Sequence, residues 1–198
     1  MTGDTKFNIV LIPGSVREAR QGIKVACWIA GLVEARGHRV DFIDPKEKPL
    51  PFLDKMYKEY DGDASPLLDD LHHRLERADG YVFVTPEYNH GVAPALKNLI
   101  DHFQSEFFFK PAAIAGYSKG GFGGVRAIEQ MRLICIELGM TPTPIPFAVS
   151  KVIDTFEKPG QPIEKEKERL VERAERWIGE FEWYLEALKN QREKRRPY

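Results

Sequence analysis

The chain has 198 residues and a formal net charge of -1, with 29 Lys and Arg against 30 Asp and Glu. This balance excludes a strongly basic nucleic-acid binder, and 42% hydrophobic residues exclude an acidic disordered chain. We expect one domain over residues 1–198, in which 160–198 form a charged helix and a basic tail. Two cysteines without CxxC spacing, a polar start and no apolar run of about 18 residues favour a cytoplasmic protein without a membrane span.

Short apolar runs alternate along the chain with helical patterns. The run 7–12 predicts a buried first strand, and the apolar stripe 23–33 predicts a first helix that ends at Gly37. Residues 38–43 alternate as in a second strand near the sheet edge. Residues 44–65 are rich in proline, and we expect so long a connection to cover a site or carry function.

The second half of the chain continues this alternation. The predicted elements are a helix at 67–78, a strand at 80–85, a helix at 95–103, a strand at 111–117, a helix at 125–138 and an edge strand at 141–149. From residue 163 one long helix carries an apolar stripe formed by Trp177, Phe181, Tyr184 and Leu188, which predicts docking on the sheet. Five strands alternating with helices imply a parallel sheet that binds ligands beyond the carboxyl ends of its strands.

The loop after the first strand, 13–22, combines a hydroxyl, two arginines and two glycines at the start of a helix. A helix N-terminus favours an anion, and Ser15, Arg17 and Arg20 add donors suited to phosphate oxygens. The loop matches neither the dinucleotide fingerprint nor the P-loop. On this loop alone, a phosphate site and a solvated polar loop both remain open.

Two further loops follow the third and fourth strands. Tyr88 offers an aromatic face and Asn89 offers donors and acceptors, which suits a flat heterocycle, although an ordinary surface turn explains them equally well. The segment 120–124 contains four glycines, which free the backbone to lie against a ring, with a flexible linker as the alternative. Because all three loops belong to one edge of a parallel sheet, their convergence favours a single ligand pocket.

The histidines and cysteines do not form a familiar metal-binding pattern. His72 and His73 are adjacent on a predicted helix, where two rings do not easily reach one ion, so we expect solvated positions and no metal. The other histidines lack a cysteine or carboxylate cluster at ligand spacing. Cys27 and Cys135 lie on apolar helix stripes, which predicts core packing.

Three segments in chain order, GSVREARQG, TPEYNHGVAPALKNLIDHF and YSKGGFGGVRAIEQMR, resemble the NADPH-dependent FMN reductase family. The resemblance covers roughly residues 7 to 150 and implies an α/β, flavodoxin-like, doubly wound sheet of five parallel strands in the order 2-1-3-4-5. It implies one FMN-binding domain, NADPH or NADH as electron donor, and a homodimer or homotetramer. The family also includes quinone, chromate and azo-compound reductases, so the expected partner is a small-molecule electron acceptor.

The resemblance also assigns candidate cofactor residues. Those at the FMN phosphate are Ser15, Val16, Arg17, Arg20, Gln21 and Gly22; those along the isoalloxazine ring are Pro86, Glu87, Tyr88 and Asn89; and those at its other edge are Ser118, Lys119, Gly120 and Gly121. Several relatives carry Ser and Asn at the positions of Arg20 and Gly22. This departure implies a subgroup with an arginine on the phosphate.

The chemistry that the resemblance implies is a ping-pong cycle. A reduced nicotinamide stacks on the flavin, transfers hydride to its N5 and leaves, and an acceptor such as FMN, a quinone or an azo compound then receives the electrons. No side-chain acid or base is obligatory for the first half, so no catalytic residue is nominated. A non-enzymatic flavodoxin-like electron carrier is the alternative, although such carriers tend to be acidic and this chain is nearly neutral.

Overall fold

The computed structural model describes residues 6–198 and is built around a parallel sheet. Strands β1 (Asn8–Pro13), β3 (Gly80–Pro86) and β4 (Pro111–Tyr117) are apolar runs buried on both faces, as strands inside a parallel sheet require. Strand β2 (Arg39–Phe42) is short and partly exposed at one edge. With a fifth strand, β5 (Thr141–Pro142), the order β2-β1-β3-β4-β5 confirms the predicted order and fold class.

The fifth position of the sheet is occupied by two short strands. Both β5 (Thr141–Pro142) and β6 (Phe147–Val149) pair in parallel with β4. The structure interrupts the single strand predicted over 141–149 because Pro144 and Pro146 lack the N–H groups that a ladder needs. The interruption leaves the carboxyl end of β6 beside that of β4.

Helices cover both faces of the sheet. Helices α1 (Gly22–Ala35) and α6 (Glu164–Lys194) pack on one face, and α2 (Pro66–Arg77), α3 (Pro94–Asp101) and α4 (Val125–Glu137) pack on the other. Each contributes an apolar face to one of two clusters separated by the sheet. This arrangement confirms the doubly wound architecture.

Several elements are too short to show a hydrophobic periodicity from which the sequence could predict them. They are two 3-10 helices (Tyr57–Glu59 and Ser105–Phe107), helix α5 (Val152–Thr155) and the antiparallel pair β7 (Phe156–Lys158) and β8 (Gln161–Pro162). The 3-10 helix Tyr57–Glu59 belongs to the proline-rich connection, which Asn98 of α3 fastens in place. The Asn98 Nδ2 donates to the Pro51 carbonyl (2.8 Å), and its Oδ1 accepts from the Leu53 N–H (3.1 Å).

Helix α6 docks on the sheet, as its apolar stripe predicts. Trp177 and Phe181 are buried, whereas Tyr184 and Leu188 are half-buried and Leu185 takes the fully buried position. Among residues 6–198, no helix has the combination of length and apolar composition that crossing a bilayer needs. Of the two cysteines, which are both free, one is buried in α4 and the other is half-buried in α1.

Candidate functional site

A cavity of about 330 Å³ lies at the carboxyl ends of β1, β3 and β4, beside the point where the strand order reverses. Its walls come from the loops after these three strands and from the start of α5. The lining residues are Ser15, Arg17, Ala19, Arg20, Gln21, Pro86, Glu87, Tyr88, Tyr117, Ser118, Lys119, Gly120 and Val152. The structure therefore brings all three loops together around one cavity.

The amino end of α1 is left open at this cavity. Gln21 precedes the helix without capping it through its own side chain, and the Tyr117 hydroxyl lies beside the Gly22 N–H of the first turn. The Gln21 Oε1 is buried without a hydrogen-bond partner among residues 6–198. Because buried polar atoms are nearly always paired, an orphaned acceptor at a helix N-terminus fits a ligand that carries both an anionic and a hydroxyl group.

Two arginines of this loop have different partners. The Arg20 Nη1 and Nη2 donate to the two carboxylate oxygens of Asp44 (2.6 and 2.5 Å), and Nη1 also donates to the Ser15 carbonyl (3.1 Å). This hydrogen bond to Asp44 raises the pKa of Arg20. Arg17 lines the same cavity, is exposed, and forms no ion pair within the described residues. Arg17 is therefore the guanidinium that can meet an added anion.

The loop after β3 is a tight turn with two strained residues. Tyr88 and Gly91 exchange both backbone hydrogen bonds (3.1 and 2.9 Å), and Asn89 and His90 between them have φ values of 50° and 65°. These values are those of a type I′ turn, which favours Asn. The turn holds the Tyr88 ring at the cavity wall, where its hydroxyl is hydrogen-bonded to the buried Ser15 hydroxyl (2.7 Å).

Glu87 is held by the first turn of helix α4. Its carboxylate accepts from the Arg126 backbone N–H (3.2 Å) and from the Arg126 Nη1 (3.1 Å). The Arg126 guanidinium lies 4.7 Å from the centre of the exposed Phe122 ring. Both oxygens of Glu87 are thus engaged, which fixes the chain between β3 and the turn.

The glycine-rich loop after β4 has two kinds of glycine. Gly120 and Gly121 have open space around them among the described residues, whereas Gly123 and Gly124 have φ values of 66° and 80° and pack on β4 and β6. Ser118 closes the loop, since its Oγ accepts from the Gly123 N–H (2.9 Å) and donates to the Gly120 carbonyl (3.0 Å). The loop is therefore a fixed structure with backbone exposed at its tip, not a flexible linker.

Tyr117, at the end of β4, closes the floor of the cavity. A Cβ added at Gly22 would lie 2.2 Å from the Tyr117 hydroxyl, so Gly22 permits this ring rather than a ligand to approach α1. Burial raises the pKa of Tyr117 well above its ordinary value, so its hydroxyl is protonated at neutral pH.

Most of the predicted cofactor residues converge, and four do not line the cavity. The ten that line it are Ser15, Arg17, Arg20, Gln21, Pro86, Glu87, Tyr88, Ser118, Lys119 and Gly120. Those outside the lining are Val16, which faces a neighbouring groove, Gly22 under Tyr117, Asn89 in the turn, and Gly121 at the loop tip. Four further residues were not predicted from the sequence, namely Ala19, Tyr117 and Val152 of the lining and Asp44 behind it. Asp44 could have been found, because it follows the second predicted strand at the same sheet edge.

A doubly wound sheet with an open helix N-terminus and a loop-lined cavity at its switch point defines the flavodoxin-like class. Residues 7–154 match the NADPH-dependent FMN reductase family, and the chain belongs to this family. It is accordingly an NAD(P)H-dependent FMN oxidoreductase, and its relatives support the enzyme over the electron carrier.

Three comparisons illustrate the relationship. The chain is 33% identical over 139 residues to a probable NADPH:quinone oxidoreductase 1 of Oryza sativa subsp. japonica, covering 68% of this chain and 69% of that one. It is 30% identical over 179 residues to an NAD(P)H-dependent FMN reductase of Pseudomonas aeruginosa, covering 87% and 92%. The fold is shared with the flavoenzyme NAD(P)H:(acceptor) oxidoreductase FerB of Paracoccus denitrificans, with a TM-score of 0.73 at 22% identity over 90% and 97% of the chains.

Proposed function

We propose that FMN binds in the cavity at the ends of β1, β3 and β4. The amino end of α1 and Arg17 would hold its phosphate, the Gln21 Oε1 would accept from a ribityl hydroxyl, and Tyr88 and the tip of the glycine-rich loop would hold its ring. The observation that carries this proposal is the orphaned Gln21 oxygen at the amino end of α1, which lacks a cap from the Gln21 side chain.

Bound FMN would supply the hydride and electron transfer between a reduced nicotinamide and an acceptor. The chain supplies position and electrostatics. The Ser15–Tyr88 hydroxyl pair and the Glu87–Arg126 pair hold the two walls at fixed separation, and the protonated Tyr117 closes the floor. Lys119 lines the cavity and adds a positive charge near the loop tip, which favours an anionic or electron-rich substrate.

We infer that the acceptor is a small, flat molecule of the quinone or azo type. Relatives with 33% identity are a probable NADPH:quinone oxidoreductase and an NADPH azoreductase of Bacillus, and a wall formed by Tyr88 suits a planar ring.

Two free cysteines fit a reducing compartment, and we propose that the protein is located in the cytoplasm.

The test is a spectrum followed by a turnover assay on the purified protein. We expect a yellow protein, or one that takes up added FMN, and oxidation of NADPH or NADH with FMN, a benzoquinone or an azo dye as acceptor. Parallel lines in double-reciprocal plots of initial velocity, measured at several acceptor concentrations, would establish the ping-pong cycle. A protein that takes up no FMN would contradict the cofactor site, and one that binds FMN without oxidising either nicotinamide would contradict the enzyme.

We propose that the chain forms a homodimer or homotetramer through the outer face of α4. Leu133 and Ile136 are 69% and 60% exposed on this helix, and exposed Phe122 precedes it near the cavity. Light scattering after gel filtration should give a molar mass that is a multiple of the 22.7 kDa of one chain. The variant Leu133→Glu should have a lower molar mass, because it places a charge in the apolar patch. A monomeric wild-type protein at micromolar concentration would contradict the proposal.

A further inference from the structure

A cluster of possible metal ligands lies on helix α2, outside the flavin cavity. The ligand atoms of His72, His73 and Glu76 all lie within 4.8 Å of one another. The sequence alone predicts no metal here, because two adjacent histidines on a helix do not easily reach one ion. Glu76, one turn further along the helix, supplies the third group between them.

The His72 ring is fixed in orientation by two contacts. Its Nδ1 donates to the carboxylate of Glu106 (2.7 Å), which is 5% exposed. Its face stacks on Tyr57, with ring centres 4.2 Å apart and planes 13° apart. A histidine that donates one ring N–H to a buried carboxylate presents the lone pair of its other nitrogen, and metal-binding histidines almost always have this arrangement.

The free nitrogen of His72 points at a carboxylate at the distance that a metal site needs. The distance from His72 Nε2 to Glu76 Oε2 is 3.4 Å. Metal–ligand bonds of about 2.1 Å in a tetrahedral zinc site place two ligand atoms about 3.4 Å apart. The two atoms therefore need little movement to share an ion. His73 is exposed and free to rotate its ring towards the same point.

We propose that His72, His73 and Glu76 bind a zinc-class divalent cation on the outer surface of α2. Glu106 acts as the positioning residue for His72, and a water molecule fills the remaining coordination position. Two imidazoles and one carboxylate form the donor set of several zinc sites, and the same set binds other late first-row metals. The competing arrangement is an ion pair without metal, in which a charged His72 lies between Glu76 and Glu106.

The test is a titration of the purified protein with Zn²⁺ after chelator treatment and dialysis. Calorimetry and metal analysis should give one Zn²⁺ per chain. His73→Ala should weaken binding by about tenfold or more, and this exposed side chain can be removed with little risk to the fold. Glu106→Gln should weaken it by about tenfold while all three ligands remain in place.

The matched control is His90→Ala, an exposed histidine in the loop after β3 that should leave Zn²⁺ affinity unchanged. Far-ultraviolet circular dichroism and thermal unfolding report whether each variant is folded. Unchanged Zn²⁺ affinity in both His73→Ala and Glu106→Gln, or no binding by the wild type, would overturn the proposal in favour of the ion pair. This result is independent of the flavin assay, so either proposal can fail alone.

Discussion

At the residue scale, the two arginines of the loop after β1, Arg17 and Arg20, differ in their partners. The Arg20 side chain is 11% exposed and is held by the nearly buried Asp44, which follows β2. The same guanidinium fixes the Ser15 carbonyl. Arg17 has no such partner in the described part of the chain. The resemblance implies that both arginines lie at the phosphate, and we propose that Arg17 contacts it while Arg20 holds the loop.

The first prediction concerns Arg17. We expect Arg17→Gln to weaken FMN binding by about tenfold, because it removes one charge-assisted hydrogen bond at an exposed position. Riboflavin lacks the phosphate, so its affinity should not change. Flavin fluorescence quenching measures both affinities, and Arg39→Gln, at the opposite end of the sheet, is the control. Equal losses for FMN and riboflavin would mean that Arg17 does not contact the phosphate.

The second prediction concerns Asp44. Asp44→Asn removes the charge partner of a largely buried guanidinium, which typically costs about 3 kcal/mol of folding free energy. We expect lower thermal stability and weaker FMN binding, with turnover at saturating FMN nearly unchanged. Denaturant unfolding and flavin titration give the two quantities.

The double variant Arg20→Ala with Asp44→Ala completes the measurement. If the two side chains act as a unit, the double variant should be no less stable than Asp44→Asn alone, because no uncompensated charge remains. Tighter FMN binding in Asp44→Asn would show instead that Asp44 withholds Arg20 from the phosphate.

At the element scale, the glycine-rich loop joins β4 to α4 through a backbone that other residues rarely adopt. Gly124 precedes α4 with φ 80°, and a Cβ there would lie 2.7 Å from the Tyr117 backbone nitrogen. The neighbouring atom is backbone and cannot rotate away. The junction therefore requires glycine for both conformation and space.

The third prediction follows from this junction. Gly124→Ala should destabilise the protein by about 2 kcal/mol or more, since the left-handed conformation alone costs about 1–2 kcal/mol for a residue with a Cβ. Gly121→Ala, with open space around it and no positive φ, should change the unfolding free energy little. Denaturant unfolding gives the free energy of unfolding of each variant, and the two losses relative to the wild type are compared. Similar losses would mean that the strain at Gly124 is relieved by the loop.

At the scale of the whole molecule, the sequence predicts most of the fold because its signals are local. The buried runs of β1, β3 and β4 and the helical stripes between them predict a parallel sheet with right-handed crossovers, and the family resemblance implies the strand order that the structure has. The three loops follow from the same argument, since each begins where a strand ends.

The rest depends on contacts between distant residues. No pattern shows that Asp44 occupies the guanidinium of Arg20, that Tyr117 lies under Gly22, or that Val152 closes the cavity. Each of these contacts joins segments that are far apart in sequence, and each depends on side-chain packing. The sequence therefore predicts which loops form the site but not which atoms in them remain free for a ligand.

The buried side chain of Lys110 makes the stability of the fold depend on pH. Lys110 is 5% exposed, and its Nζ donates to the carbonyls of Leu75 (3.0 Å) and Glu76 (2.7 Å) at the end of α2. Burial, reinforced by Arg192, lowers its pKa to about 7. In the unfolded chain an ordinary lysine keeps its proton up to about pH 10. Between these values the unfolded state binds the extra proton.

The fourth prediction concerns stability against pH. Because the unfolded state binds more protons between about pH 7 and 10, the contribution of Lys110 makes the protein more stable as pH rises through that range. Between about pH 7.5 and 8.5, unfolding free energy should rise by about 1 kcal/mol per pH unit more in the wild type than in Lys110→Met. Urea unfolding at three pH values measures the difference, and the comparison cancels groups common to both proteins. Identical slopes would place the Lys110 pKa in the folded protein near its ordinary value.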